Sequence, residues 1–169
     1  MGNAALAIAA NVLLHVFGPQ RQQHTQDNQT TEALFTHLSK WVAVACENLH
    51  AVQLDDGTEW FPTSSGAAAM QLRLVAKILL LVHPSASTSK TDGSAQACAH
   101  RIISISANHL SDAAQVQAVY SLFPAAKHAN EEMRSKVISI MTELQQRTGF
   151  HTQSKVEVLE NLQPKLRLE

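Results

Sequence analysis

Apolar positions recur at three- and four-residue steps along most of the chain, a spacing that predicts helix after helix and no convincing strand. Ala4 to Phe17 reads as a first helix, stopped by Gly18-Pro19. The polar run Gln20 to Gln29 has no apolar anchor and is expected as a loop. From about Thr30 to Leu49, a second helix places Leu34, Leu38, Trp41, Val42, Ala45 and Leu49 on one face. Asp55-Asp56-Gly57 is turn chemistry, and Phe61-Pro62 keeps the chain extended beyond it. Thr63 or Ser64 can then cap a third helix, from about Ser65 to Val82. Arg73 and Lys77 are its only charges, so it is expected to be the most buried element, ending at His83-Pro84.

The second half continues the pattern. Ser85 to Gly93 is the least ordered stretch by composition, and Ser94 is the expected cap of a fourth helix with Cys98, Ala99, Ile102, Ile103 and Ile105 inward. Ser111-Asp112 starts a fifth, Ala113 to His128, in which Pro124 is expected to kink or interrupt the helix after Leu122. Asn130 followed by Glu131-Glu132 is an N-cap with an acidic first turn. The sixth helix then buries Met133, Val137, Ile140, Met141 and Leu144, with Gly149 in the C-terminal capping position. A short helix from about Ser154 to Asn161 closes a single domain spanning residues 1–169. The fold class is all-α, about seven helices in an irregular bundle or in stacked helix pairs.

Composition sharpens this picture. With 169 residues and 45% apolar content, the chain can bury one sizeable core. Only 16% of residues are charged, against a norm of about 25%, which suggests that part of the surface is normally covered by something else. Thirteen basic and fourteen acidic residues, with no run of like charge, lack the clustered cations that displace counterions from phosphate. Two cysteines, Cys46 and Cys98, do not make a disulfide scaffold or a four-thiolate metal site. No uninterrupted apolar run reaches the length of about 20 residues that spans a bilayer, so no membrane contact is expected. The Met1-Gly2 start and the terminal Leu168-Glu169 look like cloning residues, as expected for an excised fragment in which residues 1–3 and 168–169 are not native.

Chemistry-bearing motifs are sparse. The nine histidines contain no pair at i,i+3 or i,i+4, the spacing that lets a helix grip a metal, so no metal site is expected. Thr63-Ser64-Ser65-Gly66 lacks the G-x-S-x-G nucleophile pattern. Asp55, Asp56 and Glu59 share a solvated turn rather than the contrasting environments that acid–base catalysis needs. The reading is a non-catalytic protein. Trp41, Trp60, Phe61, Tyr120 and Phe123 read mainly as core residues. Trp60 is the exception, because it sits in a loop among acidic neighbours.

Several short motifs occur together in a recognisable order. They begin with Trp60-Phe61-Pro62-Thr63, Gly66-Ala67-Ala68, Gln71-Leu72 and Ala76-Lys77-Ile78-Leu79-Leu80, up to His83-Pro84. Cys98-Ala99-His100-Arg101-Ile102 follows, then Val116-Gln117-Ala118 with Leu122-Phe123-Pro124-Ala125-Ala126. Leu144 with Arg147-Thr148-Gly149-Phe150 and Thr152 closes the series. In this order, over about Trp41 to Leu162, the chain resembles the C-terminal regulatory part of fungal zinc-cluster transcription factors. Phe150 stands where many relatives have Trp, and Ile103-Ser104-Ile105 replaces a glycine-containing run.

The resemblance implies a nuclear, all-helical domain that acts in transcription regulation through protein partners or a homodimer, in many relatives at secondary-metabolism genes. Its zinc and its DNA contacts belong to an N-terminal six-cysteine module that this chain does not contain, so no cofactor is expected here. Some relatives bind small effectors, and the candidate effector pocket here is Trp60, Phe61 and Gln71, between the Trp60 turn and the third helix. The uncharged helix Ala4 to Phe17 is the candidate contact for a partner or a second copy. A free-standing helical adaptor or small-ligand carrier is the alternative.

Overall fold

The computed structural model describes residues 2–17, 24–45, 51–55, 59–82, 91–107 and 111–162, and the side chains at 7, 9–17, 30–40, 51–55, 59–82, 94–107 and 111–162. Among these, the chain forms seven helices and one small β-ribbon. The helices are α1 (Gly2–Phe17), α2 (His24–Ala45), α3 (Ser64–Leu81), α4 (Thr91–Ala107), α5 (Asp112–Lys127), α6 (Glu131–Thr148) and α7 (Gln153–Asn161). The fold is all-α, as the periodicity predicts.

Local chemistry sets most of the boundaries. Thr63 Oγ1 accepts from the Gly66 N–H at 3.1 Å and starts α3. Ser111 and Asn130 do the same for α5 and α6, satisfying amides that a first turn leaves open. Gly149 ends α6 at φ 73°, the left-handed conformation that glycine adopts without penalty.

α3 lies at the centre, packed by α1, α2, α4 and α5. Its inner residues Ala67, Met70, Leu74 and Ile78 join Cys98, Ile102, Ile103, Val119, Leu122, Val137, Met141, Leu144 and Leu159 in the main core. A second, separate cluster forms on another side of α3, where Ala76 and Leu80 meet Val12 and Val16 of α1 and Leu38 of α2. Among the described residues, α3 alone is long and apolar enough to cross a membrane by length and composition. In this fold that apolar character is used to face two clusters at once.

Four expectations need correction. Helix α2 begins at His24, so the latter part of the polar run Gln20–Gln29 is helical rather than loop. Buried Thr31, 2.8 Å from His15 Nε2, anchors α2 to α1 ahead of Leu34 and Leu38, and a helix once nucleated by such packing extends by a turn even through residues of modest propensity. Helix α4 begins at Thr91, three residues before the expected Ser94 cap. Pro124 does not break α5, which runs through it to Lys127. The proline lies in the last turn, where its missing N–H forfeits a single bond, to the carbonyl of the solvent-facing Tyr120. Finally, a two-stranded antiparallel ribbon joins β1 (Val52–Gln53) to β2 (Glu59–Trp60) where no strand was expected. The Asp56-Gly57 pair between its strands is a hairpin signal. The expected ends of the second helix at Leu49 and of the third at His83-Pro84, and the side chains of Trp41, Val42 and Ala45, lie outside the described residues.

Candidate functional site

The ribbon carries the most distinctive exposed surface of the main body. Its register pairs Val52 with Trp60 and Gln53 with Glu59. Directly opposed residues of a ladder point to the same side, and alternate residues of a strand share a face. Val52, Leu54 and Trp60 therefore lie on one side, and all three are more than 40% exposed. Glu59 faces the other way, toward α4. Its carboxylate forms an ion pair with Arg101, whose Nη2 donates to Oε2 at 3.0 Å and whose Nε lies 2.7 Å from Oε1 but out of line for a hydrogen bond. Ala51 and Phe61, on either flank of the ribbon, pack against the main core. The ribbon is thus held at its base by two apolar anchors and by an ion pair. Its outer face is left apolar, with exposed Asp55 at the turn.

The three residues singled out from sequence have different situations. Trp60 is 47% exposed, whereas its neighbour Phe61 is buried in the main core. Gln71 is also buried, and its Nε2 donates to Ser106 Oγ at 2.8 Å. Ser106 Oγ donates in turn to the Ile102 carbonyl at 2.8 Å, so the amide heads a chain of two hydrogen bonds joining α3 to α4. Trp60 thus lies outside and Phe61 and Gln71 inside. Sequence reasoning missed Val52 and Leu54 as companions of Trp60, although their apolar alternation around Gln53 was the available signal.

Of the other aromatics, Phe123 is half-buried with Lys127 Nζ 4.5 Å above its ring, whereas Tyr120, expected in the core, is exposed on the outer side of α5 with Lys155 Nζ at 5.9 Å. The four described arginines all have intramolecular partners. Arg73 donates to the Leu38 carbonyl at 3.4 Å, and Arg147 bridges Asp112 at 2.9 Å and also reaches Gln115. Arg134 donates to the carbonyls of Ala126, Ala129 and Leu162 at 3.2, 3.0 and 3.3 Å.

The closing turn of the sequence motif is held by its own polar groups. Thr148 Oγ1 accepts from the Phe150 N–H. Gln145 Oε1 accepts from the amides of Thr152 and Gln153 at 2.7 and 2.9 Å, serving as the N-terminal cap of α7 in place of Thr152. Fully buried Thr152 instead bonds its hydroxyl to the Met141 carbonyl at 2.9 Å.

Titratable chemistry is thin. Among the described residues, no three of His, Cys, Asp and Glu converge as a metal site would require. Burial pushes the Cys98 thiol above its ordinary pKa, and the positive charges of Lys77, Arg73 and Arg101 oppose that shift. A raised pKa lowers the thiolate fraction and makes this cysteine a poor nucleophile. Compared with models of known families, with curated proteins and with solved structures, the chain matches none.

Proposed function

We propose that this chain is the regulatory domain of a fungal zinc-cluster transcription factor, working in the nucleus through protein contacts and carrying no catalytic chemistry of its own. The single observation that carries the reading is the ordered series of motifs from Trp60 to Thr152. It is supported by the structural character of these motif residues: Thr63 caps a helix, Gly149 ends one, and Thr152 ties α6 to α7. Residues of this kind specify a scaffold. The engagement of each described arginine within the domain agrees with leaving nucleic acid to a separate module. The outer face of the ribbon, Val52, Leu54 and Trp60, is the surface we assign to a protein partner or an effector.

Reading the coding sequence upstream of this segment tests the proposal. Six cysteines with zinc-cluster spacing are expected there, and a gene without them would return the chain to the adaptor or carrier alternative. Fusing the domain to an unrelated DNA-binding module should change the output of a reporter gene. Trp60→Ala is expected to diminish that change while leaving helix content intact.

A further inference from the structure

Helices α5 and α7 pack side by side and run in the same direction. At one end of the shared stretch, Lys155 Nζ of α7 lies 5.9 Å from the centre of the Tyr120 ring on α5. At the other, the Arg134 guanidinium holds the Ala126 carbonyl of α5 at 3.2 Å and the Leu162 carbonyl just beyond α7 at 3.3 Å. On α5, Tyr120, Phe123 and Lys127 stand at i, i+3 and i+7, and Lys155, Val158 and Leu162 repeat that spacing along α7. Each set therefore lines one face of its helix. Tyr120, Val158 and Leu162 are each more than 40% exposed, so the paired helices present an apolar surface to solvent.

The charges on this surface are of one sign. Lys155 stands at one end of it, beside Tyr120, and Lys127 at the other, 4.5 Å above the Phe123 ring. Neither lysine has a carboxylate partner among the described residues. Glu157 and Glu160 of α7 project from the opposite flank of the helix, where Glu157 accepts from Gln153 at 3.1 Å. An aromatic ring takes up one side of an ammonium group and leaves its remaining donors for an acceptor.

From this arrangement we infer that the α5–α7 face is a docking site for an acidic amphipathic helix of a partner protein. The apolar stripe of that helix lies on Tyr120, Val158 and Leu162, and its flanking carboxylates reach Lys127 and Lys155. Charge complementarity selects this occupant. A second copy of the chain docked through the same patch would add two more lysines and no carboxylate. Two cations, contributing about 1 kcal/mol each at an anionic bilayer, are too few to hold the domain on a membrane. They are also too few for nucleic acid, whose phosphates gain nothing from the apolar residues between them. The face is built from other elements than the ribbon that carries Trp60, and the inference stands whatever larger chain the domain belongs to.

The experiment uses the whole protein and a fluorescein-labelled helical peptide of about 18 residues, with leucines at three- and four-residue steps and glutamates at the flanking positions. A control peptide carries lysine in place of each glutamate. The acidic peptide is expected to bind at least about tenfold more tightly than the basic one, and to lose at least about tenfold in affinity for the Lys127→Glu, Lys155→Glu protein. The basic peptide should gain affinity for that protein, and Leu162→Ser should weaken the acidic peptide severalfold. Should the charge-reversed protein melt early, Lys127→Gln with Lys155→Gln decides by the same comparison of the two peptides. The inference is overturned if the two peptides bind alike, if the acidic peptide binds the charge-reversed and unaltered proteins equally, or if it does not bind at all. It is equally overturned if sedimentation shows a dimer that Leu162→Glu dissolves, or if mixed phosphatidylcholine–phosphatidylserine vesicles compete with the acidic peptide for the two lysines.

Discussion

Arg134 illustrates how much one side chain can organise. Its guanidinium donates to carbonyls at the end of α5, in the following turn, and just beyond α7, a region where helix termini leave acceptors with spare capacity. Arg134→Ala is expected to cost about 2 kcal/mol in chemical denaturation. Arg134→Lys should recover little, because an ammonium cannot fork to three acceptors in one plane. At Gly149 the cost is purely conformational, since a Cβ built there meets nothing within 4 Å. Gly149→Ala should therefore destabilise by about 1 kcal/mol with no change in the surrounding structure. Cys98 gives a pH signature. A folded-state pKa above the unfolded one means that the unfolded chain releases its proton first as pH rises. The contribution of Cys98 to stability is complete below the thiol's ordinary pKa and declines as alkaline pH rises through the folded-state value. Denaturation followed from neutral to alkaline pH should show this decline, and Cys98→Ala should reduce it. The Gly149 and Asn130 caps were legible in sequence because a cap acts within one helical turn. The partners of Arg134 and Gln145 were not, because those contacts cross between elements.

The helices followed their apolar periodicity closely, and the departures have local causes. Pro124 lies so near the end of α5 that its missing donor forfeits a single bond. Pro124→Ala should therefore alter stability by no more than about 1 kcal/mol, whereas relief of a mid-helix proline would yield about 3. Denaturant titration of the two proteins separates these outcomes. Strands of two residues lie below what periodicity can register, so the ribbon could not be read as strands, although the Asp-Gly pair in the sequence between them is a hairpin signal. The exposed face of the ribbon follows from its register, with Glu59 turned to Arg101 and Trp60 consequently turned outward.

The molecule as a whole is organised around α3, which borders two separate apolar clusters. Ile102 is fully buried in the larger one, and Ile102→Ala should cost about 2–5 kcal/mol, observed as a lower midpoint of cooperative thermal unfolding. The low charge content, read from sequence as a sign of covered surface, has two counterparts in the fold: the outer side of α1 and the outer face of the ribbon. By itself the sequence determined the all-helical class, the inward faces of α3, α4 and α6, and the caps of α3, α5 and α6. Each of these depends on residues within a turn or two of one another. Only the tertiary structure decided that Val52, Leu54 and Trp60 share a face, that Gln71 is buried and tied to Ser106, and that α1 and α2 form a layer of their own. Those outcomes depend on which distant segments come together, and burial of apolar surface, being non-directional, leaves no local pattern that names its partner.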